Sequence, residues 1–299
     1  MRRFFLFLSR QRRLRRWMET SLTARRLSSR FIAGETLAEA LIVARNLQAE
    51  GMRVALDHLG ENVTSVAEAE ASRDEYVRAL GTLLDAGLEG NVSIKLTQCG
   101  MDLGEHICRG NVEALVADAA SRGGFVRVDM ESSLYTGRTI RLVHDLHARH
   151  GAIGPVIQAY LYRSEEDVKL LCERGVRVRL CKGAYLEPAA IAFPKKEDVD
   201  NNFVGLMQEL LETGTYPAIA THDEAMITAT TSFATKRGIS RERFEFQMLY
   251  GIKRELQKKL VREGYRLRLY VPYGQAWYPY FMRRLAERPA NLLFLLKNL

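Results

Sequence analysis

From residue 52 to residue 271 the sequence alternates short β-rich runs with helical patterns, and it does so eight times. The runs are 52–58, 91–96, 125–130, 155–160, 176–182, 216–222, 244–249 and 267–271. Between them apolar residues recur at helical spacing over 66–86, 112–121, 134–150, 165–173, 203–213, 224–236 and 254–263, and a pattern over 280–288 follows the last run. Strand–helix alternation of this kind builds a parallel sheet, because each crossover returns the chain to the same end of the sheet. Eight units are the number that closes into a (β/α)8 TIM-like barrel, and 299 residues leave room for additional N-terminal helices. A doubly wound open sheet is the competing arrangement. No G-x-G-x-x-G or G-x-x-x-x-G-K follows an early run, which weakens its nucleotide-binding forms. Residues 36–50 read as an amphipathic helix stopped by Gly51. The expected organisation is an N-terminal helical segment over 1–50, packed on or beside a barrel over 51–299.

Charge is distributed unevenly. The net charge is +8, yet residues 1–30 carry ten arginines against one acid, Glu19, so the remainder is close to neutral at −1. A nucleic-acid binder would carry its basic stripe on the folded body, so no nucleic-acid partner is expected. The arginine-rich start, with F-F-L-F-L at 4–8, is too short in its apolar part for a secretory leader. It suits a surface helix with affinity for anionic lipid. No stretch approaches the ~18 apolar residues of a membrane span. The four cysteines, Cys99, Cys108, Cys172 and Cys181, show no C-x-x-C spacing and read as reduced thiols, so a cytoplasmic location is expected.

In a barrel, polar groups at the C-terminal ends of strands line one shared mouth. The strand ends here supply Asp57, His58, Lys95, Asp129, Gln158, Arg179, Lys182, Thr221, His222, Gln247 and Tyr270. A single charged end is unremarkable; Lys95, Asp129, Arg179 and Lys182 together imply a functional mouth. Asp129 is a possible base, but nearby cations would hold it ionised and make it a positioning group. Lys182 is open to two readings: a Schiff-base lysine, or a phosphate-neutralising one beside the flexible Gly183. His144, His147 and His150 recur every third residue within the pattern at 134–150, an outer helix, so they read as a solvated face and no metal is expected.

The segment 275–289, Q-A-W-Y-P-Y-F-M-R-R-L-A-E-R-P, carries Pro279 where a helix begins and Pro289 where it stops. Tyr280, Arg283, Arg284 and Glu287 fall at i, i+3, i+4 and i+7 and share one face. Two adjacent guanidinium groups suit a fork on a carboxylate or phosphate. The plain alternative is a solvated face with an Arg283–Glu287 ion pair.

This last segment, read from Leu269 as L-Y-V-P-Y-G-Q-A-W-Y-P-Y-F-M-R-R-L-A-E-R-P, together with R-L-C-K-G-A-Y-L-E-P from Arg179, F-E-F-Q-M-L-Y-G from Phe244 and V-S-I-K-L-T-Q from Val92, resembles the proline dehydrogenase family, in its short single-function bacterial form. The resemblance runs from about Thr23 onward. It implies an FAD-dependent enzyme that oxidises L-proline to 1-pyrroline-5-carboxylate and passes the electrons to a membrane quinone. It implies that Arg283, Arg284 and Lys95 hold the substrate carboxylate, that Tyr270 and Tyr280 pack on the ring, and that Glu287 orients the clamp. Asp129, Arg179 and Tyr270 are then the catalytic group. Met130, Gln158, Arg179, Lys182, Gly183, Ala184, Thr221 and His222 are the implied contacts of FAD. The basic N-terminus would touch the inner face of the cell membrane peripherally. A free ring amine is the better hydride donor, so activity should rise with pH. The other enzymes considered are a barrel flavoenzyme of the methylenetetrahydrofolate reductase type and a Schiff-base aldolase.

Overall fold

The structure, a computed structural model, describes residues 29–60 and 63–287, the last five of these as backbone only. Helix α1 (Leu37–Ala49) is followed by β1 (Arg53–His58), α2 (Val66–Asp85), β2 (Asn91–Ile94), α3 (Glu105–Ser121), β3 (Phe125–Val128), α4 (Ser133–His150) and β4 (Ile153–Gln158). Then come α5 (Ser164–Glu173), β5 (Arg179–Cys181), α6 (Lys196–Thr213), β6 (Ala218–Ala220), α7 (Glu224–Lys236), β7 (Glu245–Leu249), α8 (Arg254–Arg262), β8 (Leu267–Tyr273) and α9 (Trp277–Glu287). The strands pair in sequence order, all parallel, and β8 closes on β1 with Ala55 opposite Tyr270 and Asp57 opposite Pro272. The expected (β/α)8 barrel is therefore the observed fold, and the open sheet is excluded.

The helix ends follow from their sequences. Thr36 and Glu39 form a reciprocal capping box at the start of α1, and Ser65 accepts from the Glu68 amide at the start of α2. Gly51 and Gly151 stop α1 and α4 at φ +81° and +70°, where a side chain would be strained. Helix α1 buries Leu37, Ala40, Ala44 and Leu47 and contacts β1 and β8. Of the expected segment 1–50, residues 1–28 lie outside the described residues.

Four elements differ most from the sequence reading. β6 is Ala218–Ala220 and not 216–222, because Tyr216 sits at φ +45°, off the extended path. β5 pairs through only two of its residues with this short neighbour and shrinks with it. α3 starts at Glu105, seven residues before the expected 112, running through Gly110, which reads as a breaker yet has open space around it. α6 starts at Lys196 rather than 203; its first turn is polar, but Glu197 and Asp198 complement the helix dipole there.

The core lies between the sheet and the helices, with Leu56, Leu80, Leu83 and Ile94 fully buried. Each such side chain contributes about 1.5–3 kcal/mol by leaving water. The barrel lumen is polar instead. Side chains of non-neighbouring strands meet there: Arg179 on β5 reaches Ser93 on β2. Near the strand starts, Arg268 on β8 donates to Glu245 on β7 at 2.8 and 3.0 Å and to the Val54 carbonyl on β1 at 2.9 Å. This buried pair holds Glu245 at about pKa 2: burial opposes its charge, but the Arg268 guanidinium outweighs it.

Candidate active site

Asp129 stands just past the end of β3, where its amide donates to the Ile94 carbonyl at 2.8 Å and extends the β2–β3 ladder by one residue. Its carboxylate is the centre of the mouth. Oδ1 accepts from Arg179 Nη1 at 2.8 Å, and Oδ2 accepts from the Tyr270 hydroxyl at 2.8 Å. Lys95 Nζ lies 3.7 Å from Oδ2, donates to Asp57 Oδ1 at 3.1 Å, and is 3.3 Å from the Tyr270 oxygen. Arg179 uses Nη2 on Ser93 Oγ at 2.9 Å and lies over the Tyr270 ring at 5.6 Å. Five strands thus fix one network, and the sheet closure brings β8 and β1 beside one another to complete it. Among the described residues of the cluster, two carboxylates face two cations. With both oxygens bonded to donors, Asp129 is arranged as a holder of donors rather than as a free base.

Burial and then the Asp129 charge push the Tyr270 phenol well above its usual range, so it stays a donor. Burial, opposed by Lys95, raises Asp57. Tyr280 is buried on α9, close enough to Tyr270 to act on its ionisation. Trp277, Tyr278, Phe281 and Met282 are buried on the same helix. Arg283, Arg284 and Glu287 continue the same helix, but their side chains lie outside the described residues.

The residues assigned to a cofactor form a rim over β3 to β6. Met130 is buried, and its carbonyl and that of Glu131 accept from Gln158 Nε2 at 3.4 and 3.3 Å. Gln158 Oε1 and Arg179 Nε are buried without a hydrogen-bond partner. Gly183 sits at φ +107°, and a Cβ there would lie 2.3 Å from the Tyr160 ring, so glycine is required by backbone and packing together. Ala184 is exposed beside it. Lys182 is drawn away from the Asp129 cluster, onto Asp223 at 2.8 Å and onto Asp200. Two carboxylate partners are the opposite of what a Schiff-base nucleophile requires. Thr221 Oγ1 accepts from the Asp223 amide at 3.0 Å, and His222 Nε2 accepts from the Leu249 amide at 2.9 Å, which leaves Nδ1 as the protonated nitrogen.

Sequence reasoning did not assign Ser93, Asp200 and Asp223 to the site, and it noted Asp57 without giving it a role. Ser93 precedes Lys95 by two residues, so strand alternation puts both on the lumen side; that signal was present. Asp200 comes from the distant start of α6 and had no local signal. On α4, His144 meets Asp145 and His150 meets Glu113, while His147 Nδ1 is buried without a hydrogen-bond partner; no group able to hold a metal occurs among the described residues.

The fold and this mouth define the class: a (β/α)8 barrel whose strand ends gather cations and a phenol around fixed carboxylates in one polar mouth. The family comparison is specific: the profile described as Proline dehydrogenase matches residues 40–297. The chain is 39% identical over 298 residues to Proline dehydrogenase 2 of Bacillus subtilis, covering 100% of this chain and 98% of that one. It is 41% identical over 278 residues to the proline dehydrogenase of Deinococcus radiodurans, covering 91% and 90%. Among solved structures it matches proline utilization A from Bdellovibrio bacteriovorus, inactivated by N-propargylglycine, with a TM-score of 0.82 and 30% identity, over 88% of this chain and 33% of that longer one. The chain belongs to the proline dehydrogenase family, and its reaction is the oxidation of proline. The folate-reductase and aldolase alternatives fall with that assignment.

Proposed function

We propose that the enzyme binds FAD without a covalent bond, oxidises L-proline to 1-pyrroline-5-carboxylate and delivers the electrons to a membrane quinone. The observation that carries this is the Asp129 network, in which Arg179, Tyr270 and Lys95 converge on one carboxylate. Arg283, Arg284 and Lys95 hold the substrate carboxylate, with Glu287 orienting the pair. Charge-assisted bonds of this kind contribute about 1.5–3 kcal/mol each. Tyr270 and Tyr280 confine the pyrrolidine ring, which keeps its C–H bond next to nitrogen in one direction. Asp129 keeps Arg179 and Tyr270 from turning away.

The rim fits a flavin. Gln158 Oε1 is a buried acceptor and Arg179 Nε a buried donor, each lacking a partner, as an isoalloxazine edge with N–H and C=O groups would supply. Lys182, Gly183 and Ala184, with Thr221 and His222 just past β6 and Met130 on the near side, are the residues that would hold the rest of the cofactor, Lys182 exchanging its partners Asp200 and Asp223 for the pyrophosphate. When bound, the flavin supplies the hydride acceptor.

An anaerobic titration of the purified holoenzyme with L-proline tests the reading. Loss of the flavin's visible absorbance at stoichiometric turnover is expected, and an unbleached flavin overturns it. Residues 1–17, rich in arginine with phenylalanine and leucine, support a peripheral contact at the inner face of the cell membrane. Deleting residues 1–20 should then weaken binding to anionic liposomes; unchanged binding removes that part alone.

A further inference from the structure

The opposite end of the barrel carries a second cationic cavity that the proline reaction does not use. It opens among the loops that precede the strands, has a volume of about 600 Å³, and is lined by Arg53, Glu89, Arg177, Tyr216, Arg266 and Arg268, with glycine-rich loops between them. Its amides are already committed: Gly123, Gly124 and Gly151 donate to the ends of the preceding helices. Recognition there is left to guanidinium groups.

Their surroundings are unusual. Arg177 is exposed, packed over the rings of Phe125 at 5.3 Å and Tyr216 at 5.6 Å, and no carboxylate lies within ion-pair distance of it among the described residues. Arg266 lies over the same Tyr216 ring at 5.6 Å, donates Nη1 to the Glu242 carbonyl at 2.6 Å, and stands 3.9 Å from the Glu242 carboxylate. Arg53 donates to the Tyr216 hydroxyl at 2.9 Å and shares Glu89 with Arg268. Beneath them Arg127 is buried and bonded only to the carbonyls of Pro155 and Arg177. Burial and the neighbouring Arg179 lower its pKa well below the guanidinium range. Four guanidinium groups, Arg53, Arg177, Arg266 and Arg268, therefore line the cavity with the carboxylate of Glu89, and Glu242 and Glu245 pair with two of them from beside it. Like charges in a partly enclosed cavity repel one another unless an anion enters. Tyr216, the residue that organises them, is held at φ +45° immediately before Pro217. A bulky residue in that conformation costs about 1–3 kcal/mol, and such strain concentrates where a site is held in shape.

We infer that this cavity is a binding site for a small oxyanion of charge −2 or more, of the phosphate or pyrophosphate class, gripped by Arg177 and Arg266 across the face of Tyr216. Guanidinium forks match tetrahedral oxyanions in bidentate geometry, and aromatic faces pre-set their direction. An anion bound there ties together the loops before β3, β5, β6 and β8, so it stabilises the fold by mass action.

The test uses the flavin-loaded enzyme, so that the mouth's own phosphate-binding region is filled. Calorimetric titration with inorganic pyrophosphate and with inorganic phosphate, against sodium chloride at equal ionic strength, should show saturable binding to the oxyanions only, and a raised unfolding midpoint. Arg177→Gln with Arg266→Gln should weaken binding at least about tenfold while leaving the rate of flavin reduction by proline unchanged. Glu89→Gln, which removes a lining carboxylate, should tighten it. Binding that is absent, equal for chloride, or unmoved by both variants overturns the site, and none of those outcomes touches the proline reaction.

Discussion

Replacing Asp129 by asparagine tests whether the carboxylate acts by holding its neighbours. The substitution keeps the size and one acceptor oxygen and removes the charge. Asp129 accepts two bonds of 2.8 Å, from Arg179 and Tyr270. The one remaining oxygen keeps one of these bonds, and the amide nitrogen cannot accept the other, which as a bond to a charged group contributes about 1.5–3 kcal/mol. That is about 10- to 160-fold at 1.36 kcal/mol per tenfold. The amide nitrogen would also face Lys95, which stands 3.7 Å from Oδ2 as a cation. Anaerobic stopped-flow reduction by L-proline should therefore show kcat/KM down by about that factor, with FAD content retained. Tyr270→Phe removes one of the two bonds, so the double variant should lose less than the product of the singles, by at least ~0.5 kcal/mol of coupling. A loss below about threefold, or strict additivity, would refute the holding role.

Further outcomes are expected elsewhere. Glu245 has its pKa lowered from the ordinary 4.5 to about 2, so its pairing with Arg268 contributes stability that is present above pH 4.5 and is lost as pH falls towards 2. That is about 3 kcal/mol by linkage, and Glu245→Gln should destabilise at neutral pH and flatten the acid limb of urea-unfolding profiles between those values. Gly183→Ala adds a Cβ at φ +107° against the Tyr160 ring; flavin content should fall and the unfolding midpoint drop by the equivalent of about 1–3 kcal/mol, with far-UV circular dichroism retained. Arg284→Lys replaces a fork with a point charge, and KM for proline should rise at least about tenfold while proline esters, which lack the carboxylate charge, are little affected. The logarithm of kcat/KM should climb with pH until the substrate amine is free; a flat profile contradicts hydride donation by the neutral amine.

The barrel was readable because its signal repeats. Eight apolar runs at regular spacing leave few foldings open, and a misplaced boundary at one leaves the closure intact. The boundaries that moved did so for reasons with no sequence signature of their own. Tyr216 departs from the strand where Arg53, Arg177 and Arg266 surround its ring and hydroxyl, contacts that come from the start of β1 and from the loops before β5 and β8. Gly110 stays helical because open space surrounds it. The mouth was readable in part for the same reason as the fold. Strand alternation puts Ser93 with Lys95, Arg127 with Asp129, and Arg268 with Tyr270 on the lumen side; Arg127 and Arg268 serve the other end, while Ser93 joins the mouth through Arg179.

That pairing bears on how the polar lumen is organised. An interior arginine requires an acid or a carbonyl within reach, and a strand offers only alternate positions. At the mouth, Asp129 and Asp57 meet Arg179 and Lys95, and the cluster is closed. At the strand starts Glu245 satisfies Arg268, but Arg127 finds only carbonyl oxygens. The lumen is therefore balanced where the substrate enters and positive where it does not. A substrate carboxylate entering a balanced mouth would take most of its attraction from outside the cluster, the part that the proposed function gives to Arg283 and Arg284, with Lys95 as a third contact shared with Asp57. If those two were replaced together and proline still bound with unchanged KM, the balance argument would fail, because Lys95 and Arg179 already have their acids.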